Sequence, residues 1–72
     1  MKYHTLPPTI TVNECAAIVS VTRRTVYNLI KNGEIKTVKI GRSRRVLTNP
    51  LIKRYGLDAD VVLEYLNAID GE

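Results

Sequence analysis

The sequence contains neither tryptophan nor phenylalanine, and its only large aromatic rings are four tyrosines. The core must therefore be assembled mainly from valine, leucine, isoleucine and alanine. A chain of 72 residues suffices for one small domain, and such a domain buries only about 60% of the surface of its unfolded chain. We therefore predict a single domain spanning residues 1–72, with a small aliphatic core.

Reactive and metal-binding residues are equally scarce. A single cysteine, Cys15, excludes an internal disulfide, and one cysteine with one distant histidine, His4, falls short of a zinc site. The sequence shows no pairing of a nucleophile with a base and no pair of carboxylates for acid–base catalysis. We therefore expect no catalytic residues, no metal ligands and no cofactor, and we do not expect an enzyme.

Long hydrophobic runs are also missing. No apolar segment approaches the roughly 18 residues that a membrane-spanning helix requires. The first ten residues, "MKYHTLPPTI", lack the continuous apolar stretch of a signal peptide. We therefore expect a cytoplasmic protein.

Negative charge is nearly absent from the first 55 residues. All eleven lysines and arginines lie in that part of the chain, opposed only by Glu14 and Glu34, so it carries a net charge of +9. The remaining seventeen residues hold five carboxylates and no base, a net charge of −5. A basic body implies an anionic partner, with nucleic acid and an anionic membrane surface as the main candidates. Charge alone does not decide between them.

Two short helices are predicted for residues 11–33. Thr11 stands three residues before Glu14, the spacing of a capping box, so a helix should begin near Val12. Thr22 can cap a second helix, which should end at Gly33 because glycine tolerates the left-handed backbone found at helix C-termini.

The pattern of small and apolar residues fits a helix-turn-helix motif. Ala16 is small enough for the point where the helices cross, and apolar residues flank the turn and line both inner faces. Ser20 stands where glycine is usual, because the backbone there often has a positive φ. An ordinary antiparallel helix pair without a ligand remains the alternative. The flanking and inner apolar residues are Cys15, Val19, Val21, Val26 and Leu29.

A β-hairpin is predicted for residues 35–48. Val38 and Ile40 alternate with Lys39, and the second β-branched run, "RVLT", follows the short loop "GRSR". We expect Ile40 and Val46 to lie in the core on either side of the charged loop.

Two further helices are predicted for residues 49–70. Asn49 can cap the first of them, Pro50 suits its first helical position, and Gly56 can end it. The second begins after Asp58 and carries apolar residues at helical spacing. Those apolar residues are Val62, Tyr65, Leu66 and Ile69.

The second helix of the motif carries a polar face that suits the DNA major groove. Arg24, Asn28 and Lys31 lie opposite its apolar side, with Arg23, Thr25 and Tyr27 on the flanks. Arginine can bind guanine and asparagine adenine through paired hydrogen bonds, which makes Arg24 and Asn28 the candidates for reading bases. Thr22 and Arg23, at the helix N-terminus, suit phosphate. A solvated face without a target is the alternative, but residues 23–32 contain no acid.

The stretch from Thr11 to Val46 resembles the winged helix-turn-helix of phage and mobile-element excisionases and, more distantly, the DNA-binding head of MerR-type regulators. The matching residues are Glu14, Cys15, Ala16, Val19, Val21, Thr22, Thr25, Val26, Tyr27, Gly33, Glu34, Ile35, Lys39, Ile40, Gly41, Arg42, Arg45 and Val46. The resemblance implies an α+β fold, a small winged helix-turn-helix with a two-stranded hairpin as the wing and one or two C-terminal helices.

The resemblance also implies how the wing meets DNA. Arg42 and Arg44 should lie at or beside its tip and contact DNA, whereas Arg45 begins the return strand and has an alternative role as an ion-pair partner of Glu34 or Glu14. The residues predicted to contact DNA are Thr22, Arg23, Arg24, Thr25, Tyr27, Asn28, Lys31, Lys39, Arg42, Ser43, Arg44 and Arg45.

The resemblance to excisionases further implies an architectural role. In that role several copies bind and bend double-stranded DNA near an attachment site and direct an integrase toward excision. The expected partners are double-stranded DNA, an integrase and neighbouring copies on DNA, with the acidic C-terminal helix as a contact surface; no membrane is expected. A small transcription regulator with the same fold is one alternative. A protein-interaction adaptor, whose basic face binds an acidic protein, is another.

Overall fold

A computed structural model describes residues 3–70, so residues 1, 2, 71 and 72 of the predicted domain lie outside the described range. Four helices and a three-stranded antiparallel sheet form an α+β arrangement. It confirms the predicted fold class, a small winged helix-turn-helix domain. In chain order the elements are β1 (Thr9–Ile10), α1 (Val12–Val19), α2 (Arg23–Lys31), β2 (Thr37–Ile40), β3 (Ser43–Leu47), α3 (Thr48–Tyr55) and α4 (Ala59–Asp70).

Helix α1 begins and ends as its sequence predicts. The Thr11 hydroxyl accepts a hydrogen bond from the Glu14 N–H at 3.0 Å, and Glu14 Oε1 accepts one from the Thr11 N–H at 2.8 Å, which confirms the capping box. Ser20 ends the helix in the left-handed conformation, with φ 59° and ψ 45°. The positive φ expected at this position is therefore present, although the residue is not glycine.

Helix α2 follows after a short turn. Its N-cap, Thr22, accepts a hydrogen bond from the Thr25 N–H at 3.2 Å. Beyond its last turn Gly33 has a φ of 80°, and the Gly33 N–H donates to the Ile30 carbonyl at 3.0 Å. Both predicted ends of this helix are confirmed.

The sheet has the strand order β1-β3-β2, and β1 was not predicted from the sequence. Two residues are too few to show an alternating pattern, and β1 is a strand only because Ile10 pairs with Val46 and Thr9 with Leu47, far along the chain. Strand β3 is therefore central, and Val46 is fully buried as predicted.

The hairpin turn is shorter than the predicted loop "GRSR". Ile40 pairs with Ser43, so only Gly41 and Arg42 lie in the turn, and Ser43 and Arg44 belong to β3. Gly41 has a φ of 61°, whereas Arg42 does not have a positive φ, the pattern of a type II′ turn. Because this turn matches the twist of the strands, two residues close the hairpin.

The prediction that Ile40 lies in the core is wrong. Ile40 is 57% exposed and Val38 is 37% exposed, and both belong to β2, an edge strand that pairs only with β3 among the described strands. Ile35, just before the strand, is buried instead.

Helix α3 begins earlier than predicted. Its first residue is Thr48, and its N-cap position, Leu47, provides no side-chain hydrogen bond, so Asn49 is not the cap and Pro50 is not the first helical residue. The helix continues directly from β3, and Pro50 is tolerated because a helix's first turn needs no N–H donor. Gly56, with φ 61°, ends the helix as predicted.

Helix α4 begins where Asp58 caps it, because Asp58 Oδ1 accepts hydrogen bonds from the N–H groups of Asp60 and Val61 at 2.9 and 3.2 Å. Of its apolar residues Val62 and Leu66 enter the core, whereas Tyr65 and Ile69 remain exposed. No helix within residues 3–70 is long and apolar enough to cross a membrane. The buried apolar residues are Ile10, Val12, Cys15, Ala16, Val26, Ile35, Val46, Leu51, Val62 and Leu66.

Candidate nucleic-acid interface

The outer face of α2 is polar and basic. Val26 is buried against the core, and Leu29 and Ile30 are half-buried beside it. The polar residues that helical periodicity places opposite Val26 are exposed, apart from Thr25, which is half-buried. No carboxylate interrupts this face, so its charge is positive throughout. The exposed residues are Arg23, Arg24, Tyr27, Asn28 and Lys31.

Hydrogen bonds fix the N-terminal part of this face. Arg23 Nη2 donates to the Tyr27 hydroxyl at 3.3 Å, and the Arg23 guanidinium lies 5.8 Å from the centre of the Tyr27 ring. The Thr22 and Thr25 hydroxyl groups lie 3.0 Å apart and share a hydrogen bond. Both threonine hydroxyls therefore help to define the start of the helix, while the Arg23 side chain is held along the helix surface.

The hairpin places Arg42 at its tip but not Arg44. Arg44 is the second residue of β3, opposite Lys39, and Arg44 Nη1 donates to Thr37 Oγ1 at 2.9 Å. This bond directs the side chain back along the ribbon, away from the turn. The predicted position of Arg44 at or beside the tip is thus corrected, because the two-residue turn moves Ser43 and Arg44 into the strand.

Arg45 is not the ion-pair partner of Glu34. Glu34 Oε1 instead accepts from Arg54 Nη2 at 3.1 Å, an ion pair that connects α3 with the loop after α2. Arg45 is half-buried and lines a neighbouring cavity together with Glu14, so its alternative role as a partner of Glu14 stays a prediction.

A cleft of about 220 Å³ lies where α2, β3 and the start of α1 meet. It brings Arg23 of α2 together with Arg44 and Arg45 of β3, and no carboxylate of residues 3–69 lines it. We refer to it as the arginine cleft. Its lining residues are Thr11, Val12, Asn13, Arg23, Tyr27, Ser43, Arg44 and Arg45.

Asn13 is the lining residue that the sequence did not single out. It is exposed in the first turn of α1, and nothing in the local pattern distinguishes it from any other polar surface residue. Its place beside the basic residues depends on the pairing of β1 with β3, which sets the start of α1 against the hairpin. The remaining predicted contacts, Lys39 and Ser43, are exposed on the hairpin.

Comparison with known proteins gives two similar relatives, both from Mycobacterium tuberculosis, one from strain CDC 1551 / Oshkosh and one from strain ATCC 25618 / H37Rv. Each is named "Putative DNA-binding protein" and is 51% identical over 37 residues, which make up 51% of this chain and 47% of the relative. The matched region thus spans about half the length of these curated relatives.

A protein family matches a longer part of the chain. Its sequence model, described as a helix-turn-helix domain, matches residues 9–51, from β1 into α3. That range contains the exposed face of α2, the hairpin and every residue lining the arginine cleft. Because the match covers more than half of the 72 residues, the chain belongs to this helix-turn-helix domain family.

Proposed function

We propose that the protein binds double-stranded DNA with sequence preference, placing α2 in the major groove. The observation that carries the proposal is the exposed, acid-free face of α2 opposite a side that packs into the core. Arg24 and Asn28 are one turn apart on this face, and these residue types form paired hydrogen bonds with guanine and adenine. They are the proposed base-reading residues, and Lys31 is a phosphate contact near the C-terminal end of the helix.

The hairpin supports the same binding mode. Arg42 is exposed at the tip of a two-residue turn, and Lys39 projects from the adjoining strand. Arginine suits both the sugar-phosphate backbone and a narrow minor groove, because it is weakly hydrated and offers several donors. In the proposed complex Arg42 contacts the DNA beside the groove that α2 occupies. The names of the mycobacterial relatives also support DNA binding.

The finer role that we propose is that of an excisionase, which binds and bends DNA near an attachment site and directs an integrase toward excision without catalysis of its own. Its support is the resemblance of residues 11–46 to that family. A small transcription regulator on the same fold is the second candidate, since the same interface serves promoter occlusion.

Helix α4 is the proposed contact with a neighbouring copy on DNA or with the integrase. Val61, Tyr65 and Ile69 recur every fourth residue and are 60%, 44% and 39% exposed, an apolar stripe beside the carboxylates of Asp60 and Glu64. Acidic side chains next to exposed apolar ones suit a basic protein surface better than DNA.

In vitro selection of bound duplexes, followed by affinity measurements on the selected site and on scrambled duplexes, tests DNA binding directly. Arg24→Ala and Asn28→Ala should each cost about 1–3 kcal/mol on the selected site and relax the preference, because each removes a paired base contact. Arg42→Ala is the matched control, and it should weaken all duplexes together.

A salt series adds an independent criterion. Contact with about 5 phosphates should give a slope near −4 to −5 in a plot of log K against log salt concentration. Absence of binding to any duplex at low salt would end the DNA proposal and favour the adaptor function. Unchanged discrimination in Arg24→Ala would show that α2 does not read the bases.

The excisionase role is tested by adding the protein to an integrase encoded beside its gene and to DNA carrying the attachment sites. We expect DNA bending and a shift of recombination toward excision. If the protein leaves recombination unchanged but represses a promoter containing the selected site, the transcription regulator is the correct role.

A further inference from the structure

The arginine cleft gathers three positively charged residues. Arg23, Arg44 and Arg45 come from two different elements, yet no carboxylate of residues 3–69 lines the cleft as a partner for them. Arg54, outside the cleft, does have such a partner in Glu34. Like charges gathered in one concave site repel each other, and an anion bound between them removes that cost.

Neutral groups hold two of these arginines in place. The Arg23 guanidinium donates to the Tyr27 hydroxyl, and the Arg44 guanidinium donates to Thr37 Oγ1. A guanidinium has five N–H donors, so each retains donors for a ligand while its conformational freedom is reduced. Because the partners are uncharged, the positive charge remains available to the ligand.

The rest of the lining adds donors suited to a phosphate. Asn13 contributes a side-chain amide and Ser43 a hydroxyl, and Thr11 and Val12 place the first turn of α1 at the cleft. Phosphate oxygens bind arginine through paired, charge-assisted hydrogen bonds.

We propose that the arginine cleft binds one phosphodiester of the DNA backbone, with Arg23, Arg44, Arg45 and Asn13 as its ligands. The inference rests on the proposed function, because it requires α2 to occupy the major groove. The cleft shares Arg23 and Tyr27 with the exposed face of α2 and lies on the side toward the hairpin. The bound phosphate belongs to the DNA strand that borders the major groove on the hairpin side. Arg42 at the tip of the hairpin contacts a different phosphate.

A scan of the selected duplex tests this assignment, with each phosphate replaced in turn by a neutral methylphosphonate. One position should weaken binding of the unmodified protein about tenfold or more, as expected for loss of hydrogen bonds to a charged group. A methylphosphonate at the same position should weaken binding much less when the protein carries Arg23→Ala, Arg45→Ala or Asn13→Ala. Arg42→Ala is the matched control and should retain the full effect there.

The outcomes separate this inference from the function on which it rests. If Arg23→Ala and Arg45→Ala abolish the effects of two different phosphates, the shared site is wrong although DNA binding stands. If no duplex is bound at all, the proposed function itself fails. The substituted side chains are exposed or half-buried, and circular dichroism of each variant verifies folding.

A free phosphate has the same chemistry, so a second arm distinguishes the source. The isotope-labelled full chain is titrated with inorganic phosphate at constant ionic strength and followed by NMR. Weak, non-saturating shifts at the cleft, together with one sensitive position on the duplex, support the backbone site. Saturation by inorganic phosphate without any sensitive position on the duplex would overturn it.

Discussion

Cys15 has a fully buried side chain, and this burial raises the pKa of its thiol from 9.0 to about 11. The folded state therefore retains the thiol proton over a pH range in which the unfolded chain loses it. Because losing this proton is harder in the folded state, the thiol contributes fully to stability below pH 9. That contribution is lost as the pH rises toward 11.

We predict that the free energy of unfolding falls between pH 9 and 11 more steeply in the unmodified protein than in Cys15→Ala. Urea denaturation at a series of pH values measures both slopes. All other side chains are the same in both proteins, so the difference between the two slopes belongs to the thiol. Equal slopes would show that the thiol reaches solvent in the folded state.

Thr48 carries a buried hydroxyl without a hydrogen-bond partner among residues 3–70. The residue is 1% exposed, and its N–H donates to the Pro8 carbonyl at 3.1 Å while Oγ1 remains unpaired. Burying an unpaired polar group costs free energy that a methyl group of similar size does not.

Thr48→Val should therefore raise the free energy of unfolding by about 1 kcal/mol. Chemical denaturation measures the change, and Thr48→Ala serves as the control. That variant also removes the buried methyl and should gain less or lose stability. A less stable valine variant would show that Oγ1 has a partner such as an internal water.

At the level of elements, the turn between α1 and α2 is strained at Ser20. A left-handed backbone costs a residue with a Cβ atom about 1–2 kcal/mol. Glycine avoids most of this strain, but it loses more conformational entropy on folding. Ser20 has φ 59° and ψ 45°. The helix-turn-helix geometry is thus maintained by packing around the turn and not by the preference of this residue.

Ser20→Gly should stabilise the domain by about 0.5–1 kcal/mol, equivalent to a rise of roughly 2–8 °C in the melting temperature. Thermal unfolding followed by circular dichroism measures it. Ser20→Ala keeps the Cβ atom and should show no such rise. A melting temperature that falls in the glycine variant would mean that the serine side chain itself stabilises the turn.

Elements whose signals are local were predictable from the sequence. The capping box of Thr11 and Glu14, the Thr22 cap and the stop at Gly56 each depend on residues within one turn, and all are confirmed. The face of α2 was predictable for the same reason, since helical periodicity alone determines which side chains lie opposite Val26.

Features created by distant pairing were not predictable. Strand β1 exists through its pairing with β3, and the exposure of Ile40 follows from the edge position of β2. The arginine cleft depends on the same pairing, which brings Asn13 near Arg45 although 32 positions separate them. Neither the residue types nor the spacing within a single element indicates that Asn13 and Arg45 lie close together.

Considered as a whole, the molecule combines a basic body with an acidic helix that is integral to the fold. Val62 and Leu66 of α4 are buried, so deleting residues 57–72 would remove part of the core together with the carboxylates. A loss of DNA binding after such a deletion would therefore reveal nothing about partner contacts. Substitutions on the exposed stripe alone address them.

Val61→Ser and Tyr65→Ser should leave binding to one DNA site unchanged and reduce cooperative binding to tandem sites, because they remove apolar contacts between copies. Gel-shift titrations on single-site and tandem-site duplexes measure both affinities. Tyr55→Ser, a change at a tyrosine of α3 that is 38% exposed, is the matched control. Equal changes on both duplexes would indicate that the stripe serves stability and not cooperation between copies.

Tyr3 and Asn67 join opposite ends of the described chain. The Tyr3 N–H donates to Asn67 Oδ1 at 2.8 Å, and Asn67 Nδ2 donates to the Tyr3 carbonyl at 3.0 Å. Closing a loop of this length is entropically costly, so these bonds should form late in folding. During synthesis the helix-turn-helix can form early, but the N-terminal segment finds its partner only after residue 67 has emerged from the ribosome.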